Sequence, residues 1–156
     1  MRTIAIVVVA VAMAACEIGT NGSRTFIGVS PTSATAVQFS PQTLPLSIAA
    51  TRCVSGLVFT TGFDLVIVQT RPVHVFMDQV TLHLLDGSNV GGPSITFSRL
   101  QLNSMFGSTL VVGTRAFSFR PQFSCGVRRP RSIVADVVLM DEEGGGRSVS
   151  VNAAFQ

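Results

Sequence analysis

Ile133 to Met140 is apolar apart from Asp136, and Asp141-Glu142-Glu143-Gly144-Gly145-Gly146 after it is built for turning. Val149, Val151, Ala153 and Phe155 then return at a strict period of two. Two such runs around a glycine-rich turn predict a β-hairpin, because only a strand repeats its faces every second residue. The upstream chain follows the same rule in shorter pieces. Phe63, Leu65 and Ile67 alternate with Asp64, Val66 and Val68, so one face is buried and the other at least half so. Val54 to Thr60 precedes that run, with Thr61-Gly62 between them as a tight turn or a bulge. Val73 to Leu85 reads as one long strand with Val80, Leu82 and Leu84 on one face. Ser94 to Ser98 is a short strand after the turn formers Asp86 to Asn89 and Gly91 to Pro93. Leu100 to Ser108 is irregular, with room for one helical turn. Thr109 to Val112 and Arg115 to Phe119 read as one strand interrupted at Gly113.

Pro41 and Pro45 fall inside the apolar run from Val37 to Ile48. Proline cannot donate to a ladder, so this is an edge strand or a strand broken between two sheets. The total is seven or eight strands at short spacing, turn signals between them and no amphipathic helix, which predicts an all-β antiparallel sandwich. Strict repeats are absent, which argues against a propeller or a solenoid. Eleven Phe with no Trp and no Tyr give the core area without a polar handle. Charged residues are only 12% of the chain, about half the usual share. All eleven basic residues are Arg, which reads as base composition. The formal charge of +3, or +2 without Arg2, is too small and scattered for a nucleic-acid footprint.

The first residues follow a different logic. Met1-Arg2-Thr3 is a positive start, Ile4 to Met13 is apolar, and small residues follow, the three parts of an export signal. The apolar run is about half the length of a membrane span. Its end, Met13-Ala14-Ala15-Cys16, resembles the lipobox of bacterial lipoproteins, with Met13 standing where Leu is commonest. The resemblance implies a signal peptide over residues 1–15, cleavage before Cys16 and lipid on Cys16. It also implies the outer membrane, since that family's sorting retains Asp in the next position at the inner membrane and here the residue is Glu17. Residues 16–35, rich in Gly, Ser, Thr, Asn and Pro, read as a tether, and residues 36–156 as the body.

With Cys16 lipidated, Cys53 and Cys125 remain, and an exported compartment favours their pairing in a disulfide. Their separation is similar to that of the inter-sheet bridge of immunoglobulin-like domains, and Phe123 stands two residues before Cys125 where those domains often carry a Tyr. The body departs from them in having no Trp against the bridge and a loop, Gly126 to Arg131, after the second cysteine. The resemblance therefore implies a generic immunoglobulin-like sandwich. A redox role is disfavoured, because the two cysteines lack Cys-x-x-Cys spacing and an acidifying helix N-terminus.

Nucleophilic catalysis needs a nucleophile, a base and an orienting group together. His74 and His83 are the only imidazoles and lie nine apart on one predicted strand, too far to share a metal. The acidic loops Asp86 to Gly92 and Asp141 to Gly146 lack the alternating ligand spacing of a calcium loop and read as turns. No catalytic residue, metal or cofactor is expected. The remaining feature is Arg128-Arg129-Pro130-Arg131, whose guanidiniums suit phosphate or carboxylate; whether Arg115 and Arg120 join them depends on the fold. The expectation is a non-enzymatic, lipid-anchored envelope module with an anionic lipid, cell-wall or protein partner. The alternative is an assembly or adhesion subunit that pairs an exposed strand, Val37 to Ile48, with a protein partner.

Overall fold

The computed structural model describes residues 35–50, 57–87, 91–126 and 129–156. The signal segment, Cys16, the 16–34 stretch, Cys53 and Arg128 lie outside the described residues. The body is an all-β sandwich of two layers with one short helix. The first layer holds β1 (Thr35–Ser40), β3 (Leu46–Ala50), β4 (Leu57–Thr61), β5 (Phe63–Gln69), β9 (Thr114–Phe119) and β10 (Gln122–Gly126). The second holds β2 (Thr43–Leu44), β6 (Val75–Leu85), β7 (Gly91–Ser98), β8 (Leu110–Val111), β11 (Ser132–Asp141) and β12 (Gly146–Phe155).

The first layer is made of two three-stranded sheets that share their connecting strands. β4 runs on into β5 across Gly62, and β9 runs on into β10 across Arg120-Pro121. One half has the order β1-β5-β9 and the other β10-β4-β3. Proline at 121 has no donor to give the ladder, and a bend is where the sheet tolerates it; its carbonyl still accepts from the Thr61 N–H at 3.4 Å. The second layer has the order β2-β12-β11-β6-β7. Counting each bent strand once, the described residues make eight longer strands, with β2 and β8 as two-residue pieces.

The proline-interrupted run is not a single edge strand. β1 pairs antiparallel with β5, β2 pairs parallel with β12 in the opposite layer, and β3 returns to pair with β4. Pro41, after a cis peptide bond, and Pro45 stand at the two crossings. The first strand thereby closes both layers on one side.

The core follows the predicted alternation. Phe63, Leu65 and Ile67 of β5 face Ile133, Ala135, Val137 and Leu139 of β11, all buried. Phenylalanine fills the gap between layers. Phe119 lies 5.7 Å from Phe63, 5.6 Å from Phe97 and 5.3 Å from Phe106, ring centre to ring centre.

Two expectations are corrected here. Leu100 to Ser108 is a two-turn helix, α1 (Arg99–Phe106). The Gln101 side chain accepts the Ser98 N–H at 2.9 Å, which satisfies one orphan donor of the first turn. Gly107, at φ +72°, closes the other end with its N–H on the Asn103 carbonyl, the left-handed cap that favours glycine. Leu102 and Phe106 face the core, while Leu100 is 81% exposed.

Second, Thr109 to Phe119 is not one strand. β8 pairs with β6 and β9 pairs with β5, so the chain changes layers at Gly113, whose φ of +68° opens the turn. Nothing lies within 4 Å of a Cβ built there, so Gly113→Ala meets only backbone strain. A loss of about 1 kcal/mol is expected, read as a lower urea midpoint with an unchanged slope.

Candidate functional site

Arg129 and Arg131 stand at the end of the sandwich where β6, β11 and β12 finish or begin. The Arg131 N–H donates to the Leu85 carbonyl at 2.8 Å, and its carbonyl accepts from Phe155 at 2.9 Å. Its backbone is thus fixed between two strands of the second layer. Its side chain lies over the turn after β6, where a Cβ on Gly87 would come within 3.1 Å of Nε. Pro130 is buried and anchors the loop, while Arg129 is exposed. With Ala154, Phe155 and Gln156 these residues line an open cavity of about 650 Å³. The guanidiniums of such a rim can form paired hydrogen bonds with a carboxylate or a phosphate, and Phe155 supplies an apolar wall.

Arg115 and Arg120 do not join them. Arg115 donates to the Leu110 carbonyl at 2.6 Å and lies 4.6 Å over the Phe117 ring, at the other end of the molecule. Arg120 packs over Gly62 at the bend of the first layer. There it lines a polar groove of about 590 Å³ with Ser47, Thr60 and Asp64. Asp64 accepts from the Ser118 hydroxyl at 2.6 Å.

The comparison of Cys53 and Cys125 with an inter-sheet bridge rests on side chains outside the described residues. Strand β11, central in the second layer, carries no cysteine. Cys125 belongs to β10, which the bend at Arg120-Pro121 keeps in the first layer beside β4. Leu57 of β4 is the register partner of both Gly126 and Ala50, which stand one residue after Cys125 and three residues before Cys53 in the sequence. Phe123 is a buried core ring. Cys53 and the side chain of Cys125 are outside the described residues.

His74 lies just before β6 rather than within it, and its Nδ1 pairs with Glu142. His83, on β6, sits 3.2 Å from Asp136 through Nε2. Asp136 also accepts the Ser150 hydroxyl. Sequence reading missed this row, because only the register β12-β11-β6 brings the three residues together. The carboxylate stands between serine and imidazole, so the base does not touch the hydroxyl it would have to activate. The row is a polar ladder on the outer face of the second layer.

The loop Asp141 to Gly146 is a turn, as expected. Oδ1 of Asp141 accepts the N–H groups of Glu143 at 3.1 Å and Gly145 at 2.6 Å. That oxygen is committed to the turn's own backbone.

No protein-family model matches the sequence, and no curated protein matches it either. Among solved structures, the chain is similar to a structural-genomics target determined by X-ray diffraction, with a TM-score of 0.50 and 7% identity over 78% of this chain and 86% of that one. It is also similar to a Bordetella pertussis protein described as ApaA, with a TM-score of 0.51 and 12% identity over 78% of this chain and 93% of that one. At such identities the likeness concerns the fold alone.

Proposed function

We propose that this protein is a lipid-anchored module of the bacterial outer membrane that works by binding an anionic partner, without catalysis. The observation that carries the reading is the placement of its two ends. Thr35, where the described chain begins, pairs with Gln69 at one end of the sandwich. The cavity lined by Arg129 and Arg131 opens at the other. The eleven residues of β6 between them span about 33 Å. A body held through Cys16 and the segment before Thr35 can therefore present its arginine rim away from the anchor. The lipobox-like Met13-Ala14-Ala15-Cys16 supports the anchor, and the rim, with Arg128 beside it in sequence, supports an anionic cell-wall or lipid partner. The Ser150–Asp136–His83 row supports binding over catalysis, because its carboxylate separates the hydroxyl from the base.

Two measurements test this. Globomycin should accumulate the uncleaved precursor, and Cys16→Ala should move the protein out of the membrane fraction; unchanged membrane association overturns the anchor. Cosedimentation with cell-wall sacculi should be salt-sensitive and fall at least about fivefold, or roughly 1 kcal/mol, in the Arg129→Ser/Arg131→Ser double variant. Equal sedimentation of variant and parent overturns the rim.

A second reading has one observation in its favour. β3 lies at an edge of the first layer, and its Ile48 is 40% exposed. A partner strand could add there by backbone pairing. One stoichiometric partner recovered after mild crosslinking would establish it, and a clean monomer would overturn it.

A further inference from the structure

Gln69 ties three parts of the body together at the end where the chain enters it. Its backbone N–H donates to the Gly113 carbonyl at 2.7 Å, and its buried side chain donates through Nε2 to the Val73 carbonyl at 3.3 Å. Its Oε1 accepts the hydroxyl of Thr35, the first described residue. The loop before β6 and the turn after β8 are thus fixed side by side at the foot of β1. Pro72 stiffens that loop by setting its own φ.

Each of these two segments carries a valine into solvent. Val112 is 61% exposed and Val73 is 37% exposed, whereas Val111 and Val75, register partners in β8 and β6, are buried. Among the described residues, the other exposed large apolar side chains are Leu100 and Met105 on α1 and Ile48 on β3. The charges at the entry end balance: Arg71, Arg115 and Arg147 stand against Asp141, Glu142 and Glu143. The tip therefore offers apolar surface without net charge.

Two valines are far too little area for a stable protein partner, which needs about 800 Å² a side. A bilayer needs no such area when the body is already tied to it. The eighteen residues from Glu17 to Ala34 span about 25 Å as a coil. A tether that short holds its body at roughly millimolar local concentration, so a weak apolar contact is enough to fix an orientation.

We propose that Val73 and Val112 seat the entry end of the body on zwitterionic headgroups of the membrane that carries the anchor. The inference rests on the lipid anchor proposed above. It gives the body one orientation, with the Arg129–Arg131 rim turned away from the bilayer.

The chain has no Trp, so a single introduced one is a clean probe. Lipidated Val112→Trp and Ile48→Trp chains, purified from bacterial membranes, are reconstituted into vesicles of phosphatidylethanolamine and brominated phosphatidylcholine. Both should float with the vesicles. Val112→Trp fluorescence should be blue-shifted and quenched by the bromine. Ile48 pairs opposite Phe59, toward the other end, so Ile48→Trp should stay unquenched. Adding Val73→Ser to Val112→Trp should lower the quenching at least about twofold, and high salt should leave it unchanged. In the unsubstituted chain in nanodiscs, a gadolinium-headgroup lipid should broaden the Val73 and Val112 amides more than that of Phe155. Floating chains with both probes quenched alike, with only Ile48→Trp quenched, or with Phe155 broadened most overturn the seated end and leave the anchor standing. A blue-shifted but unquenched Val112→Trp puts protein on the tip instead of lipid and overturns it as well. Quenching that salt abolishes overturns the apolar contact. Chains that do not float overturn the anchor and the seating together.

Discussion

Phe119→Ala is expected to lower the stability of the body by about 4 kcal/mol, within the range for deleting a fully buried aromatic side chain. Phe119 is 1% exposed. Its ring meets Phe63 from its own layer, Phe97 from the other and Phe106 from α1. The substitution removes more than transfer energy, because three further rings lose an aromatic neighbour and the space between the layers cannot collapse without moving β7 and α1. A body of this size has about 5–15 kcal/mol in total, so the variant should be near its folding threshold at 37 °C. Thermal unfolding followed by circular dichroism reads the effect. A loss under about 1 kcal/mol would mean that the neighbouring rings repack into the space. Phe76→Ala is the control, since Phe76 is half-buried under Arg99, whose guanidinium lies 5.1 Å from the ring, and should cost far less.

The second large effect concerns Cys53 and Cys125. Non-reducing mass spectrometry of exported protein should find them linked. Reduction, or a Cys53→Ser/Cys125→Ser variant, should then cost up to about 4 kcal/mol, the chain-entropy value for a loop of about 70 residues. Ala50, Leu57 and Gly126 share one row across β3, β4 and β10, and Cys53 is three residues from Ala50 in the connection from β3 to β4. Such a bond would tie the end of β10 to the connection between β3 and β4. The inter-layer packing should then survive reduction, with the loss expressed first as opening of β10 from β4, visible as faster amide exchange at Phe59 and Phe123 while β11 stays protected. Both thiols found free in exported protein would sink the pairing.

Much of the fold was legible in the residues. The terminal hairpin formed at the predicted turn because a period-two pattern beside three glycines admits one register, and a slip by one residue would turn Ile133, Ala135, Val137 and Leu139 outward. Pro41 and Pro45 announced a break, although the sequence does not say that the pieces go to three pairings. The helix was missed because its apolar residues do not form one stripe: Leu102 and Phe106 face in, while Leu100 and Met105 face out. The signal available was local, with Ser98 and Gln101 at capping-box spacing and Gly107 just past the end. Thr109 to Phe119 looked continuous because both halves favour strand, and only tertiary pairing assigns them to opposite layers. The candidate sites were less legible still. Arg129 and Arg131 adjoin in sequence and could be singled out. Val73 and Val112 belong to a loop and a turn far apart in the chain, and no local pattern announces that Gln69 will hold both.

The pairing of β1 has a mechanical meaning. Six rows join it to β5, from Thr35↔Gln69 to Ser40↔Asp64, and the next residues cross to β12 in the other layer. Tension applied through the segment before Thr35, with the body held at its far end, runs along the axis of β1. The ladder bonds lie across that axis, so the pull loads them in shear, all rows together, and does not peel them one at a time. A partner that tugs on the arginine rim would therefore pull against the strongest geometry the first strand can offer, and the body would transmit force between its two ends before it gave way.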